Sequence, residues 1–405
     1  MRIDTPSESF LTRDYRRYFV ASLSAHTAFQ MQMVVIGWHV LERTDSAVWV
    51  GVVAGAYSLP MLLLAALVGA LADRSRRQTI IVGALAVGAI TITLVSLLIA
   101  RDIDAPWHLL IASFVLGATF TFYAPARLAL LPNLLPSGAL LRASTVEYAS
   151  TRVVGFFGPL AAGALVEATG VARTLLLQSG LFVLALFVYA NTGRHIVTIP
   201  DPTKGAIKVL RGIRDALSSL RTDRPLFALF VLSVLVVPIG MAYLKLLPVF
   251  ARDVVGAGPT VLGAMVGVVS FGTAVSGFAL AALGHRLRKG PAVLISSLAY
   301  SGVLVVLSMT RDVPMAMAAL AALGLLAGVF LTLTNVLLQS RVVDTVRGRI
   351  MAIYGMVWGL VPMVTFVAGV AAERFGVAPV IGGLGTLCAL CCVVVAVRNP
   401  VLMDL

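Results

Sequence analysis

The chain has 405 residues, of which 59% are apolar and only 12% charged, whereas soluble domains carry about 45–50% and about 25% respectively. That apolar share is about 239 residues, material for up to a dozen membrane-spanning helices of about 20 residues each. It excludes a soluble catalytic domain, a secreted disulfide scaffold and a disordered chain. The net charge of +13 would suggest nucleic acid in a soluble protein, but here the position of the cations decides their meaning.

Apolar runs fall at 18–40, 48–72, 79–100, 107–131, 144–168, 173–193, 225–250, 260–284, 291–310, 314–337, 350–372 and 377–398. Their length predicts spanning helices, because strands of a membrane barrel would be near 10 residues and alternating. The first run is too long for a cleaved signal, and mixed charges precede it. Six runs, a polar loop and six more suggest internal duplication, with bundles at 1–193 and 225–405 and a central loop at 194–224. With a cytoplasmic N-terminus, 24 Lys and Arg fall on the cytoplasmic side, six on the other, and Lys245 alone lies within a span. That bias places both termini in the cytoplasm and removes nucleic acid as an explanation of the charge.

In chain order, the first run carries Ser22, His26, Gln30, Met33 and Gly37 at helical spacing, with Gln32 and His39 on another face. Polar side chains in lipid face protein or a water-filled cavity. His26 and Gln30 are therefore candidates for a substrate path, the alternative being hydrogen bonds between helices. The loop after the second run reads GALADRSRR. Gly69 allows close helix approach, Asp73 is an anion beside helix ends, and Arg74 and Arg77 suit clamping of carboxylates or carbonyls. The loop is a candidate cytoplasmic gate, or a basic loop that only sets topology.

Arg127 ends the fourth run and Glu147 opens the fifth as the only carboxylate close to the apolar part of any span, with Arg152 on a nearby turn. A network of Glu147 with Arg127 or Arg152 would form an inward gate, and Glu147 is also the best proton carrier in the chain. Downstream, Pro159 removes a helix hydrogen bond, while Gly155, Gly158 and Gly163 let a neighbouring helix approach. In the central loop, Ile207, Leu210, Ile213, Leu217 and Leu220 alternate with Lys208, Arg211, Arg214 and Arg221. This pattern describes a basic amphipathic helix on the inner leaflet or a solvated linker.

Lys245 lies near the outer end of the seventh run, where it would attract an anionic substrate or snorkel to the interface. Asn335 and Gln339 on the tenth run, and Tyr354 and Trp358 on the eleventh, are further cavity candidates beside a plain packing role. Asp344, Arg347 and Arg349 mirror the charges of the 69–77 loop. Cys388, Cys391 and Cys392 sit too close along one helix for a useful disulfide. The sequence has no metal-ligand spacing, phosphate-cradling loop or nucleophile elbow, so no enzyme, metal or cofactor is expected.

The 69–77 loop resembles the Gly-x-x-x-Asp-Arg-x-x-Arg signature of the major facilitator superfamily, with Arg76 where that family often has Gly. GFFGPLAAG (155–163) resembles its fifth-helix antiporter motif, with Ala162 in place of one Gly. The stretches 124–145, 152–170, 246–258 and 338–355 are similar to the transmembrane secretion effector branch, which includes enterobactin exporter-like transporters. The resemblance implies an all-α protein of twelve helices in two pseudo-symmetric six-helix bundles. It also implies a monomeric inner-membrane secondary transporter that exports small molecules, drug-like amphiphiles or siderophores, by alternating access and proton exchange. A uniporter or importer on the same fold is the alternative, and a non-transporting sensor or scaffold a more distant one.

Overall fold

The computed structural model describes residues 12–64, 75–135, 138–192, 223–342, 350–351 and 353–404. Gly69, Asp73, Arg74, Asp344, Arg347, Arg349 and the amphipathic pattern at 207–221 lie outside the described residues. The described chain forms twelve principal helices and, among the described residues, no strand. They are α1 (Arg13–Thr44), α2 (Ala47–Leu63), α3 (Arg77–Ala100), α4 (Pro106–Leu134), α5 (Leu140–Thr169), α6 (Val171–Ala190), α7 (Arg224–Val254), α8 (Pro259–Leu283), α9 (Lys289–Met309), α10 (Val313–Arg341), α11 (Ile353–Phe375) and α12 (Val377–Arg398). Eleven are long and apolar enough to cross a membrane, and α2 is a shorter apolar helix of 17 residues. The protein is a multi-pass membrane protein. Large apolar side chains such as Ile90, Phe187, Phe278 and Val397 point outward, as lipid contact requires.

Eleven of the expected runs are helices to within about five residues, and polar caps explain several of the differences; of the run 48–72 the structure shows Ala47–Leu63 as helix, and its remainder from residue 65 lies outside the described residues. Tyr15 donates its backbone N–H to the Thr12 hydroxyl (3.1 Å), which starts α1 ahead of the apolar run. The Asp312 carboxylate accepts from the Met315 N–H (2.9 Å) at the start of α10. Helix α7 departs from a single regular span. It is α-helical over Arg224–Met241 and Tyr243–Val249, then closes in a π-turn at Phe250–Val254. Pro238 and Pro248 each remove an N–H from its hydrogen-bond ladder.

Within the first half α3 packs on α4 and α6, α1 on α5 and α6, and α2 on α4; within the second, α10 packs on α8 and α9, and α12 on α7 and α9. The main contacts between halves are α5 with α8 and α2 with α11. Lipid gives no hydrophobic drive to helix association, so small residues that admit a neighbouring backbone decide where helices meet. A Cβ placed on Gly163 would overlap the Pro259 carbonyl, and one on Gly263 the Pro159 carbonyl. In the other pair, a Cβ on Gly369 would lie 2.9 Å from the Ala47 carbonyl oxygen, and one on Gly51 3.1 Å from that of Thr365.

These two seams are built from a repeated sequence. Residues 163–172 read GALVEATGVA and residues 369–378 read GVAAERFGVA, sharing Gly-x-x-x-Glu-x-x-Gly-Val-Ala. In both copies the second glycine ends one helix and starts the next, with φ of 84° at Gly170 and 83° at Gly376. Only glycine adopts that left-handed backbone at little cost. Gly163→Ala should therefore lower thermal stability by about 1–3 kcal/mol through overpacking. Gly302→Ala, where an added Cβ meets nothing within 4 Å, should not; melting curves of the purified variants check both.

Candidate functional site

The first polar centre lies inside the N-terminal half. Arg127 on α4 pairs with Glu147 on α5, both buried, and Ser22 of α1 joins them. The Ser22 hydroxyl donates to Glu147 Oε1 (2.5 Å) and accepts from Arg127 (2.6 Å), while Tyr18 donates to the Arg127 carbonyl (3.2 Å). Neither charge ends or opens its helix, as the apolar runs suggest; α4 continues to Leu134 and α5 begins at Leu140. Burying two charges in lipid is costly unless they are paired and hydrogen-bonded; this triad pairs them through Glu147 Oε1 and leaves Oε2 without a partner among the described residues. Arg152 is not its partner: it donates to the Tyr148 hydroxyl (3.1 Å) and stacks 4.8 Å over that ring. His26 and Glu147 line one narrow crevice between α1 and α5.

The second is a cavity between the halves, with about 120 Å³ of room for water-sized molecules. Helices α1, α2 and α4 supply Gln30, Gln32, Met33, Tyr57 and Ser113, and α7 supplies Leu244, Lys245 and Pro248. Lys245 is half-buried and its Nζ lies 5.5 Å from the centre of the Tyr57 ring. Gly37 brings α1 close to α7, since an added Cβ would lie 3.0 Å from the Pro248 ring. The first-helix stripe is thus divided: Ser22 and His26 serve the crevice, while Gln30, Met33 and Gly37 serve the cavity.

Beyond the cavity, at the end where α1 leads into α2, carboxylates bridge the halves. Glu167 of α5 accepts the backbone N–H of Thr260 at the start of α8 (3.4 Å). Glu373 of α11 accepts the Ser46 hydroxyl (3.0 Å) and the Val48 N–H (3.2 Å) at the start of α2. These are the glutamates of the repeated decapeptide, each set on the N-terminus of a helix in the opposite half, where the helix dipole favours an anion. Arg252 of α7 adds an ion pair to Asp45 (2.6 Å).

The remaining candidates are spread out. Gly155 faces Ser270 of α8, and Gly158 faces Gln30 of α1. Pro159 and Gly163 lie in the α5–α8 seam. Arg77 donates to the Ala129 carbonyl (2.5 Å) and so ties α3 to α4 within one half. Asn335 and Gln339 bond each other on α10, with Gln339 exposed, and Tyr354 and Trp358 belong to the apolar core of the second half. None of these four lines the cavity beside Lys245. Glu147 is also not alone among the acids in the helical interior. Asp104, in the short link before α4, is buried with its carboxylate 2.8 Å from His39 Nε2, and Arg43 donates to its carbonyl. The sequence hid Asp104 inside a loop of charged residues, and only the fold turns it inward.

Twelve helices with a cavity between their halves form a polytopic transporter architecture. The family model of transmembrane secretion effectors matches residues 6–403, and the chain belongs to that family, within the major facilitator superfamily. It is 21% identical over 374 residues to a staphyloferrin A transporter of Staphylococcus aureus, covering 92% of this chain and 93% of that protein. It is 23% identical over 369 residues to the multidrug efflux pump Tap of Mycolicibacterium fortuitum, covering 88% of each. A bacterial homologue of the human lysosomal transporter Spinster, solved inward-facing and unoccupied, shares the fold with a TM-score of 0.73 at 14% identity, over 98% of this chain and 97% of that one.

Removing one partner of a buried ion pair leaves an uncompensated charge, typically at a cost of about 3–5 kcal/mol. Glu147→Ala should therefore destabilise the protein by that order, and Arg127→Met together with Glu147→Leu by much less. A double-mutant cycle on unfolding of the purified chain measures the difference.

Proposed function

We propose that this protein is an inner-membrane exporter that moves small molecules by alternating access, driven by proton exchange. The observation that carries the reading is a cavity walled by both halves and shut at one end by two matching glutamate contacts. With Arg127 and Arg152 set aside as residues of α4 and α5, 22 Lys and Arg against six support cytoplasmic termini. In that orientation the shut end faces outward and the cavity awaits a substrate from the cytoplasm. The relatives support the direction, since one is an efflux pump.

In this mechanism residues 1–193 rock against 225–405 as a monomer. The 69–77 and 341–349 loops close the cytoplasmic side when the outer side opens. Glu147 carries the proton: neutralising it releases Arg127 and Ser22, which hold α4, α5 and α1 together. The drug-like amphiphile or siderophore occupies the cavity between α1, α2 and α7.

Reconstituted protein should move a dye or siderophore out of the compartment facing its cytoplasmic side when a pH gradient is applied, and Glu147→Gln should abolish the gradient dependence. Flux of every candidate that ignores both the gradient and Glu147 would overturn the reading. The two glutamate contacts together contribute on the order of 1 kcal/mol at an exposed helix end. Glu167→Gln with Glu373→Gln should thus shift the closed-to-open ratio of the outer side roughly five-fold, and Glu42→Gln at the same end should not. Spin labels at Asp102 and Arg311, in a chain with Cys388, Cys391 and Cys392 replaced by alanine, would read that ratio as a distance distribution.

A further inference from the structure

Lys245 is the one Lys or Arg lining the inter-half cavity, and none of the lining side chains is a carboxylate. Among the described residues it makes no hydrogen bond or ion pair; its ammonium rests only against the face of Tyr57. A cation held away from water requires an anionic partner, and every other buried or half-buried cation described above has found one, a carbonyl, or a hydroxyl: Arg127 with Glu147, Arg252 with Asp45, Arg77 with Ala129, Arg152 with Tyr148. In the same wall Gln32 is 4% exposed, and its Oε1 has no hydrogen-bond partner among the described residues, a place for a donor on the ligand rather than for its anionic group.

Snorkelling does not account for this lysine. Residues Tyr243–Val249 form a short helix of their own, fixed against α1 where Pro248 meets Gly37. The side chain leaves that segment toward Tyr57 of α2, across the cavity. The rest of the wall is apolar, with Phe29, Met33, Ile36, Val50, Val53 and Leu244.

We infer that the cavity selects amphiphiles bearing one anionic group, a carboxylate above all, which pairs with Lys245 while an apolar body lies against α1 and α2. The inference rests on the cavity being the transport site and adds its substrate class. An efflux pump for cations or neutral drugs would need no such lysine. Lys245 is then a specificity-determining residue.

The test is equilibrium binding to the full-length purified protein, with no gradient. The probes are a series of aryl-alkanoates from phenylacetate to 1-pyrenebutyrate, each against its neutral amide, with wild type, Lys245→Gln and Lys245→Arg. At least one acid should bind ten-fold or more tightly than its amide. That preference should vanish in Lys245→Gln with amide affinity unchanged, and persist in Lys245→Arg. If wild type prefers no acid over its amide, or if Lys245→Gln keeps the preference, the inference is overturned, whether or not the variants fold well. Repeating the wild-type titration in nanodiscs separates a soluble substrate from a lipid headgroup. Unchanged acid binding in phosphatidylglycerol supports the soluble substrate; displacement by that lipid overturns it. Acid preference without gradient-driven movement would refute the exporter alone, and gradient-driven efflux without acid preference would refute this inference alone.

Discussion

Helices α5 and α8, and helices α2 and α11, approach so closely that backbone meets backbone. The glycines at 163, 263, 51 and 369 are what allow it. A membrane protein cannot rely on the exclusion of water to hold its helices together, so the two seams take their strength from close packing and weak Cα–H···O contacts of about 0.5–1 kcal/mol each. One apolar cluster is drawn entirely from residues 226–402, while a larger one joins the halves, with Tyr243, Leu262, Leu304 and Leu320 in the same cluster as Val34, Leu85 and Leu116. A glutamate from each decapeptide copy then adds a modest polar contact at one end only. The sum is a few kcal/mol, the range in which a ligand or a proton can tip a two-state equilibrium.

The buried polar groups are sorted by the same need for partners. Helix α1 carries one charged cluster toward each end: Ser22 with Arg127 and Glu147, and His39 with Asp104 and Arg43. Each cluster ties α1 to elements of its own half, so both travel with the N-terminal bundle when it moves. Neither cluster crosses the seams. Among the groups that do cross, the glutamate contacts and the Arg252–Asp45 pair are more exposed, so breaking them brings little desolvation penalty. Strong interactions therefore lie within halves and weak ones between them.

Much of this was legible in the sequence, and what was not has a physical reason. Span positions followed from apolar runs because lipid allows few alternatives to a helix. Arg127 and Glu147 stood out because a charge in an apolar context is rare, although the runs placed them too near the helix ends: apolar composition stops before hydrogen bonding does. Asp104 was missed because burial of a loop residue depends on what packs over it, and His39 lies 65 residues away. Asn335, Gln339, Tyr354 and Trp358 have residue types suited to a cavity, yet the register of α10 and α11 turns them elsewhere. The irregularity of α7 at Ala242 carries no residue signature of its own, only the two prolines that flank it. The repeated decapeptide was present in the sequence throughout, but its meaning depends on each glutamate reaching a helix start in the other half.

Helix α7 connects the cavity to the seams. Lys245 belongs to the C-terminal half, whereas Tyr57, Gln32 and the apolar wall belong to the N-terminal half. An amphiphile whose anionic group pairs with Lys245 while its apolar body lies against α1 and α2 would touch both halves. Such a ligand binds best when the two halves are near each other at that level, and loses one of its two partners when they part. Its affinity therefore differs between states, which is the condition for a ligand to shift the equilibrium rather than ride along with it. Helix α7 passes at Ala242, whose backbone stays helical, from the apolar cluster of the second half, which holds Leu226–Val237, to the cluster shared by both halves, which holds Tyr243, Leu246 and Leu247.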